Sequence, residues 1–209
     1  MIKTLIFDFD GTIADTFSIF CEAFKEIGQE IGLKELTEED IKNYRLKGAE
    51  DLIKEFRIMP WRLPTLIKKG QRLFRDKMNG TQPFDQMPET LRRIFEKKIK
   101  MGIITTNSKR NVATFLKKYD LEVFDFIVSA PSIFGKTKAI KRAIKKYRLE
   151  KEEVIYVGDE IRDIEGAQKA GIRVAAVIWG YNDFNLLEEG KPDFVIRKPQ
   201  DLLKLFQVL

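Results

Sequence analysis

The sequence predicts an α/β protein, a doubly wound parallel sheet interrupted near its start by a helical insertion. Three observations predict it. From residue 84 onward, short apolar runs alternate with stretches of helical periodicity, the pattern of strand–helix–strand units. Between about residues 15 and 81, helical spacing recurs without a convincing strand. Ahead of that stretch, residues 2–8 (IKTLIFD) are a short, mostly apolar run that ends in an acidic, glycine-containing turn. The expected division is residues 1–14 and 84–209 for the α/β core and 15–83 for the insertion, a size usual for a small domain.

The elements follow in order. Residues 2–8 read as a buried strand. Phe17, Phe20, Phe24, Ile27 and Ile31 recur at steps of three and four, one face of a helix. Thr37 and Asp40 open a second helix in the manner of a capping box, with Ile41 and Tyr44 following. Leu52, Ile53 and Phe56 mark a third helix, and Leu66, Leu73 and Phe74 a fourth after Pro64. Pro88 suits a first helical turn, with Leu91, Ile94 and Phe95 inward. Residues 101–106 (MGIITT), 126–129 (FIVS), 154–157 (VIYV), 172–179 and 194–196 read as strands. Helices are expected at 112–119, 138–147, 161–170 and 200–206, with Gly171 ending the third of these.

Composition removes whole classes of chemistry. The chain of 209 residues has no histidine, which excludes Ser-His-Asp and Cys-His nucleophiles and HExxH zinc sites. One cysteine, Cys21, excludes an intrachain disulfide and every CxxC cluster. Catalysis must rest on carboxylates, lysines, hydroxyls or a bound hard cation. The net charge of +6 favours anionic partners. Those partners are expected to be small phosphorylated metabolites rather than nucleic acid, because acids are interleaved with the bases. The densest basic stretch, 136–148, has Ala139, Ile140, Ala143, Ile144 and Tyr147 at helical spacing, so its lysines read as a solvated face. No secretory signal or membrane-length apolar run is present, and a cytoplasmic location is expected.

In open α/β sheets, ligands sit beyond the carboxyl ends of the strands. There the sequence places unusual residues. Asp8 and Asp10 are two apart, so both side chains point the same way in an extended chain. Gly11 then permits a sharp turn. The second strand ends in Thr105-Thr106. Lys136 follows the third strand, and the fourth ends in Gly158-Asp159, with Asp163 one turn later. Four carboxylates cannot crowd together without a counter-charge. All-oxygen ligation without His or Cys points to Mg²⁺. Such a site can process a phosphoryl group, one carboxylate attacking phosphorus and a second, protonated, serving the leaving oxygen.

Taken singly, each residue has an ordinary reading. Asp10-Gly11 is a common turn pair, and Thr105 and Thr106 are good strand formers, with Asn107 or Ser108 capping the next helix. Lys136 could be solvated and Asp163 a first-turn helix acid. Their order on successive strand ends carries the functional reading.

These residues resemble the haloacid dehalogenase superfamily. Its motifs appear in order as DFDGT at 8–12, an apolar strand ending in Thr105, Lys136, and GDEIRD at 158–163. The insertion after the first motif, with AVIWGYND and KPDFVI near the end, resembles the phosphoglycolate-phosphatase-like branch. The resemblance implies a Rossmann-like core with a helical cap and phosphatase activity on a small phosphate monoester, phosphoglycolate or similar. It implies Asp8 as nucleophile, Asp10 as general acid/base, and Thr105 (or Thr106) and Lys136 on the phosphate. It implies Mg²⁺ held by Asp8, the Asp10 backbone carbonyl and Asp159, with Asp163 behind. The segment with Arg45 and Lys47 resembles the substrate-facing part of the cap. Related mutases use a cap histidine, which this chain lacks, so hydrolysis is favoured; pyrophosphatase chemistry is a neighbouring alternative. Two other classes compete. Residues 130–137 (APSIFGKT) resemble a degenerate phosphate-binding loop, but Pro131 removes an N–H from it. A phospho-accepting signalling module would need a long-lived aspartyl phosphate, which Asp10 as base would hydrolyse.

Overall fold

A computed structural model describes residues 1–30, 45–47, 53–55, 57–77, 80–130, 132 and 135–206. The expected helix beginning at Thr37 and Asp40 and running through Ile41 and Tyr44 lies outside these residues. So do Ile31, Leu52, Phe56 and the side chains of Phe24 and Ile27.

Six parallel strands form the sheet: β1 (Thr4–Phe7), β4 (Lys100–Thr105), β5 (Phe126–Ser129), β6 (Val154–Gly158), β7 (Arg173–Val177) and β8 (Phe194–Ile196). Their spatial order is β5-β4-β1-β6-β7-β8. The register runs Phe7 beside Ile103 on one side and Val157 on the other. The strands are apolar on both faces because both are covered. Leu5, Phe7, Ile155 and Val157 pack into one core, with Leu91, Phe115 and Leu202. Ile6, Tyr156, Val174 and Ala176 alternate into the other, with Ile140 and Ile164. This is period-two alternation feeding two helical layers.

The helices follow from their stripes. α1 (Phe17–Glu30) and α2 (Leu63–Lys77) belong to the insertion and pack on each other. A short 3₁₀ turn, Pro60–Arg62, precedes α2, which carries Pro64 in its first turn, where no intrahelical N–H is lost. α3 (Met87–Glu96), α4 (Lys109–Lys118), α5 (Lys136–Tyr147) and α6 (Ile161–Ala170) cover the sheet. In α5 the lysines at 138, 141, 145 and 146 are exposed while Ala139, Ile140, Ala143 and Ile144 are buried. Gly171 ends α6 at φ +77°, as expected of a left-handed cap.

Four expectations are corrected. Phe95 is 56% exposed: the buried face of α3 is Met87, Leu91 and Ile94, and one residue on, the helix turns to solvent. Residues 200–206 wind as a 3₁₀ helix, Pro199–Phe206. A further helix, α7 (Phe184–Glu189), was not expected; Asp183 caps it through Asn185 N–H at 2.9 Å. Two-residue strands β2 (Ala14–Asp15) and β3 (Gln82–Pro83) pair antiparallel where the chain leaves and re-enters the core. Among the described residues no helix is long and apolar enough to cross a membrane.

Candidate active site

The site lies at the carboxyl end of β1, between β4 and β6, where the chain winds away to either side. Asp8 follows β1 directly. Its Oδ1 accepts from Phe9 N–H at 2.8 Å and its Oδ2 from Lys136 Nζ at 2.9 Å. Lys136 opens α5, and its ammonium also lies 2.8 Å from Asp163 Oδ1 and 2.9 Å from the Tyr156 hydroxyl. That hydroxyl donates to the Ile104 carbonyl at 3.1 Å. Lys136 is therefore neither a solvated lysine nor turned into its own loop as a nucleotide-binding loop requires; Pro131, Ile133 and Phe134 of that loop lie outside the described residues.

Asp159 ends β6 with no exposure. Thr12 Oγ1 donates to its Oδ1 at 2.6 Å, and Tyr181 N–H to its Oδ2 at 2.8 Å. Gly11, at φ +78°, brings the turn so close that a Cβ there would stand 2.1 Å from Asp159 Oδ2. Asp163 has one oxygen on Lys136, and its Oδ2 accepts from Glu160 N–H at 3.1 Å, capping α6. Carboxylate oxygens of Asp8, Asp159 and Asp163 lie within 4.8 Å of one another, all buried.

The electrostatics call for a cation. Burial pushes Asp8 up to about 7, with Lys136 pulling it down and Asp163 raising it. Burial, then Glu160, Asp163 and Asp8, hold Asp159 well above the ordinary carboxylate range. Burial pulls the Lys136 ammonium down, but Asp163 and Asp8 more than reverse this and keep it charged. One ammonium does not balance three clustered acids. An all-oxygen donor set that lacks its charge balance fits a hard divalent cation such as Mg²⁺.

Asp10 stands apart from that cluster. Asn107 Nδ2 donates to both of its oxygens at 3.2 Å, and Thr105 Oγ1 lies 3.4 Å from Oδ2. Burial raises Asp10 to about 6, against hydrogen bonds from Asn107 and Thr16 that favour the ionised form. Thr105 Oγ1 also accepts from Asn107 N–H at 2.9 Å. Thr106 takes a different place: its carbonyl accepts from Gln71 of α2 at 2.6 Å.

The loop after β7 joins the site to the insertion. Arg45 Nη2 donates to the Gly180 carbonyl at 3.1 Å and its guanidinium lies 4.6 Å over the Phe17 ring. Asp183 N–H donates to the Arg45 carbonyl at 2.7 Å, and Asn182 Nδ2 to that of Lys47 at 3.3 Å. A cavity of about 250 Å³ opens between α1, α2 and the core, with Asp10, Thr106, Asn107 and Lys47 among its lining. Arg45 is not in that lining, and the Lys47 ammonium lies 2.6 Å from Glu55.

Of the residues expected in the site, Asp8, Asp10, Thr105, Lys136, Asp159 and Asp163 converge, while Thr106, Arg45 and Lys47 stand at its margin. Asn107, Tyr156, Tyr181, Glu160 and Arg162 were not expected there. Asn107 or Ser108 read as a helix cap; Ser108 is that cap, accepting from Asn111 N–H at 3.1 Å, and Asn107 turns to Asp10 instead. Tyr156 sat inside an apolar strand, where only a buried hydroxyl's need for partners could have signalled it.

Comparison with known proteins agrees with this geometry. A family model described as haloacid dehalogenase-like hydrolase matches residues 5–177. The phosphoglycolate phosphatase of Synechococcus elongatus is 28% identical over 204 residues, covering 97% of this chain and 96% of that protein. The pyrophosphatase PpaX of Bacillus thuringiensis is 27% identical over 209 residues, 98% and 96% of the two chains. A solved haloacid dehalogenase-like protein of Streptococcus pneumoniae superposes with a TM-score of 0.81 at 24% identity, covering 99% of both chains. The family model spans most of the chain and its phosphatases match end to end: the chain belongs to the haloacid dehalogenase-like hydrolases, among the phosphoglycolate-phosphatase-like members, and is a phosphatase.

Proposed function

We propose that this chain hydrolyses a small phosphate monoester with Mg²⁺, through an acyl phosphate on the Asp8 carboxyl. The carboxylate of Asp8 attacks phosphorus while Asp10, protonated, gives its proton to the leaving alcohol. Asp10, now ionised, takes a proton from water as that water attacks the aspartyl phosphate. Lys136 draws Asp8 toward its ionised form against its burial and faces the phosphoryl oxygens, and the Thr105 hydroxyl donates to them. Asp8, the Asp10 main-chain carbonyl and Asp159 would hold Mg²⁺, while Asp163 anchors Lys136 from behind. The bound cation supplies the positive charge that the acids lack and neutralises the transferring group. Residues 15–83 serve as a cap hinged near 15–17 and 83–87, closing over the substrate to exclude water.

The observation that supports this most is the different surroundings of two neighbouring carboxyls. Asp8 is paired to an ammonium, whereas Asp10 is buried on an amide that carries no charge. An acid held against an ammonium suits the nucleophile, and a second acid beside it, held by a neutral amide, suits the proton carrier. A cytoplasmic setting and small metabolites rather than nucleic acid accord with the interleaved charge. The name of the Synechococcus relative suggests phosphoglycolate as a substrate; that of the Bacillus relative gives pyrophosphate as a second reading. Phosphate release from a panel of phosphorylated metabolites, with Mg²⁺ and with chelator, tests the reading. Release is expected only with the metal, and equal release in chelator would sink it.

A further inference from the structure

Resting on the phosphatase mechanism, but departing from the two substrates that the relatives' names suggest, we propose that the alcohol of the substrate is apolar: the chamber above Asp10 receives an alkyl or aryl group, not a carboxylate or a second phosphate. The chamber is continuous with the acid that would protonate the leaving oxygen, since Asp10 and Asn107 are in its lining. Away from them its described walls are largely hydrocarbon, with Phe17 and Phe20 of α1 and Leu66, Ile67 and Phe74 of α2. A leaving group protonated by Asp10 has this space beside it.

An anionic leaving group would need a cation there. Two cations reach the described lining, and each already holds an acid: Lys47 lies 2.6 Å from Glu55 Oε2, and Arg162 Nη2 lies 2.5 Å from Glu160 Oε1. Glu160 is itself buried in the lining, so a second negative charge would meet a carboxylate there whose cation is already shared. Arg162 Nε is buried without a hydrogen-bond partner among the described residues. That buried donor is open to one polar atom of the substrate, such as the ester oxygen. Size agrees. Apolar cavities of about 150 Å³ hold benzene, and this one is about 250 Å³; a two-carbon acid would leave most of it unfilled.

Calorimetric titration of the whole chain in Mg²⁺ with phosphonates tests this. Methyl-, butyl- and hexylphosphonate probe apolar length, and 3-phosphonopropionate places a carboxylate where butylphosphonate has hydrocarbon. Affinity should rise by about fourfold per buried methylene, and 3-phosphonopropionate should bind at least about tenfold more weakly than butylphosphonate. A flat alkyl series, no binding by any of the four, or 3-phosphonopropionate binding as tightly as butylphosphonate would overturn the assignment. Hydrolysis of phenyl phosphate and phosphoglycolate, run beside it, separates the two claims. Tight hexylphosphonate binding with no ester hydrolysed would defeat the phosphatase mechanism and leave the chamber's chemistry standing. Hydrolysis with the acidic analogue bound best would do the reverse.

Discussion

Lys136 Nζ stands 2.9 Å from Asp8 Oδ2, across 128 residues of sequence, with 6% and 3% of the two side chains exposed. A buried ion pair adds little net stability, but removing one partner strands the other without compensation. Lys136→Met should therefore cost about 3–5 kcal/mol of folding stability and about 10²–10³-fold in kcat. Asp8→Asn keeps the volume while removing the nucleophile, so it should fold and lose at least about 10³-fold in turnover. Denaturant melts and steady-state rates measure both. Native turnover in Asp8→Asn would exclude Asp8 as the attacking group.

Metal binding and pH should be linked. Asp8 and Asp10 are raised by folding to about 7 and about 6, from an ordinary value of about 3.9. A carboxyl raised on folding adds stability that is complete below its unfolded value and disappears as pH rises through its folded value. The metal-free protein should thus lose stability between about pH 4 and pH 7. Mg²⁺ binds the ionised acids, so the rise in Tm that it gives should be at least about twofold larger at pH 8 than at pH 5.5. Equal rises at both values would contradict the link.

Asn107 holds both oxygens of Asp10 and favours the charged form. Asn107→Ala should raise the Asp10 pKa further. The alkaline limb of kcat against pH, where the proton donor is lost, should move upward, and kcat at its maximum should fall about tenfold from lost positioning. A limb that stays in place would assign it to another group.

Gly180 has no room for a side chain: a Cβ there would stand 2.2 Å from Asp159 Cβ and 2.3 Å from its Oδ2. Gly180→Ala must displace that carboxylate. Stability should fall by about 1–3 kcal/mol, and the Mg²⁺ needed for half-maximal activity should rise at least about tenfold. Unchanged Mg²⁺ dependence would show that Asp159 does not hold the ion.

The sheet was legible because its strands are buried on both sides, so 4–7, 100–105 and 154–158 each stand out as unbroken apolar runs. The acids at their ends were legible for the complementary reason, since charge after such a run demands partners. Phe95 misled because an aromatic at helical spacing looks inward until the sheet fixes which turn is the last buried one. β2 and β3 are too short to carry a period. Arg162 and Glu160 look like ordinary helix-surface charges in sequence, and only the fold sets them in the lining of the cavity between the insertion and the core. Asn107 was hidden by a neighbour, Ser108, that performs the capping both could do.

The small ribbon in which Ala14 faces Pro83 places the exit and return of the insertion side by side. A segment grafted between these two residues would enter and leave the core at one place, but it would have to replace the seating of Phe74 on Phe9 and Phe115.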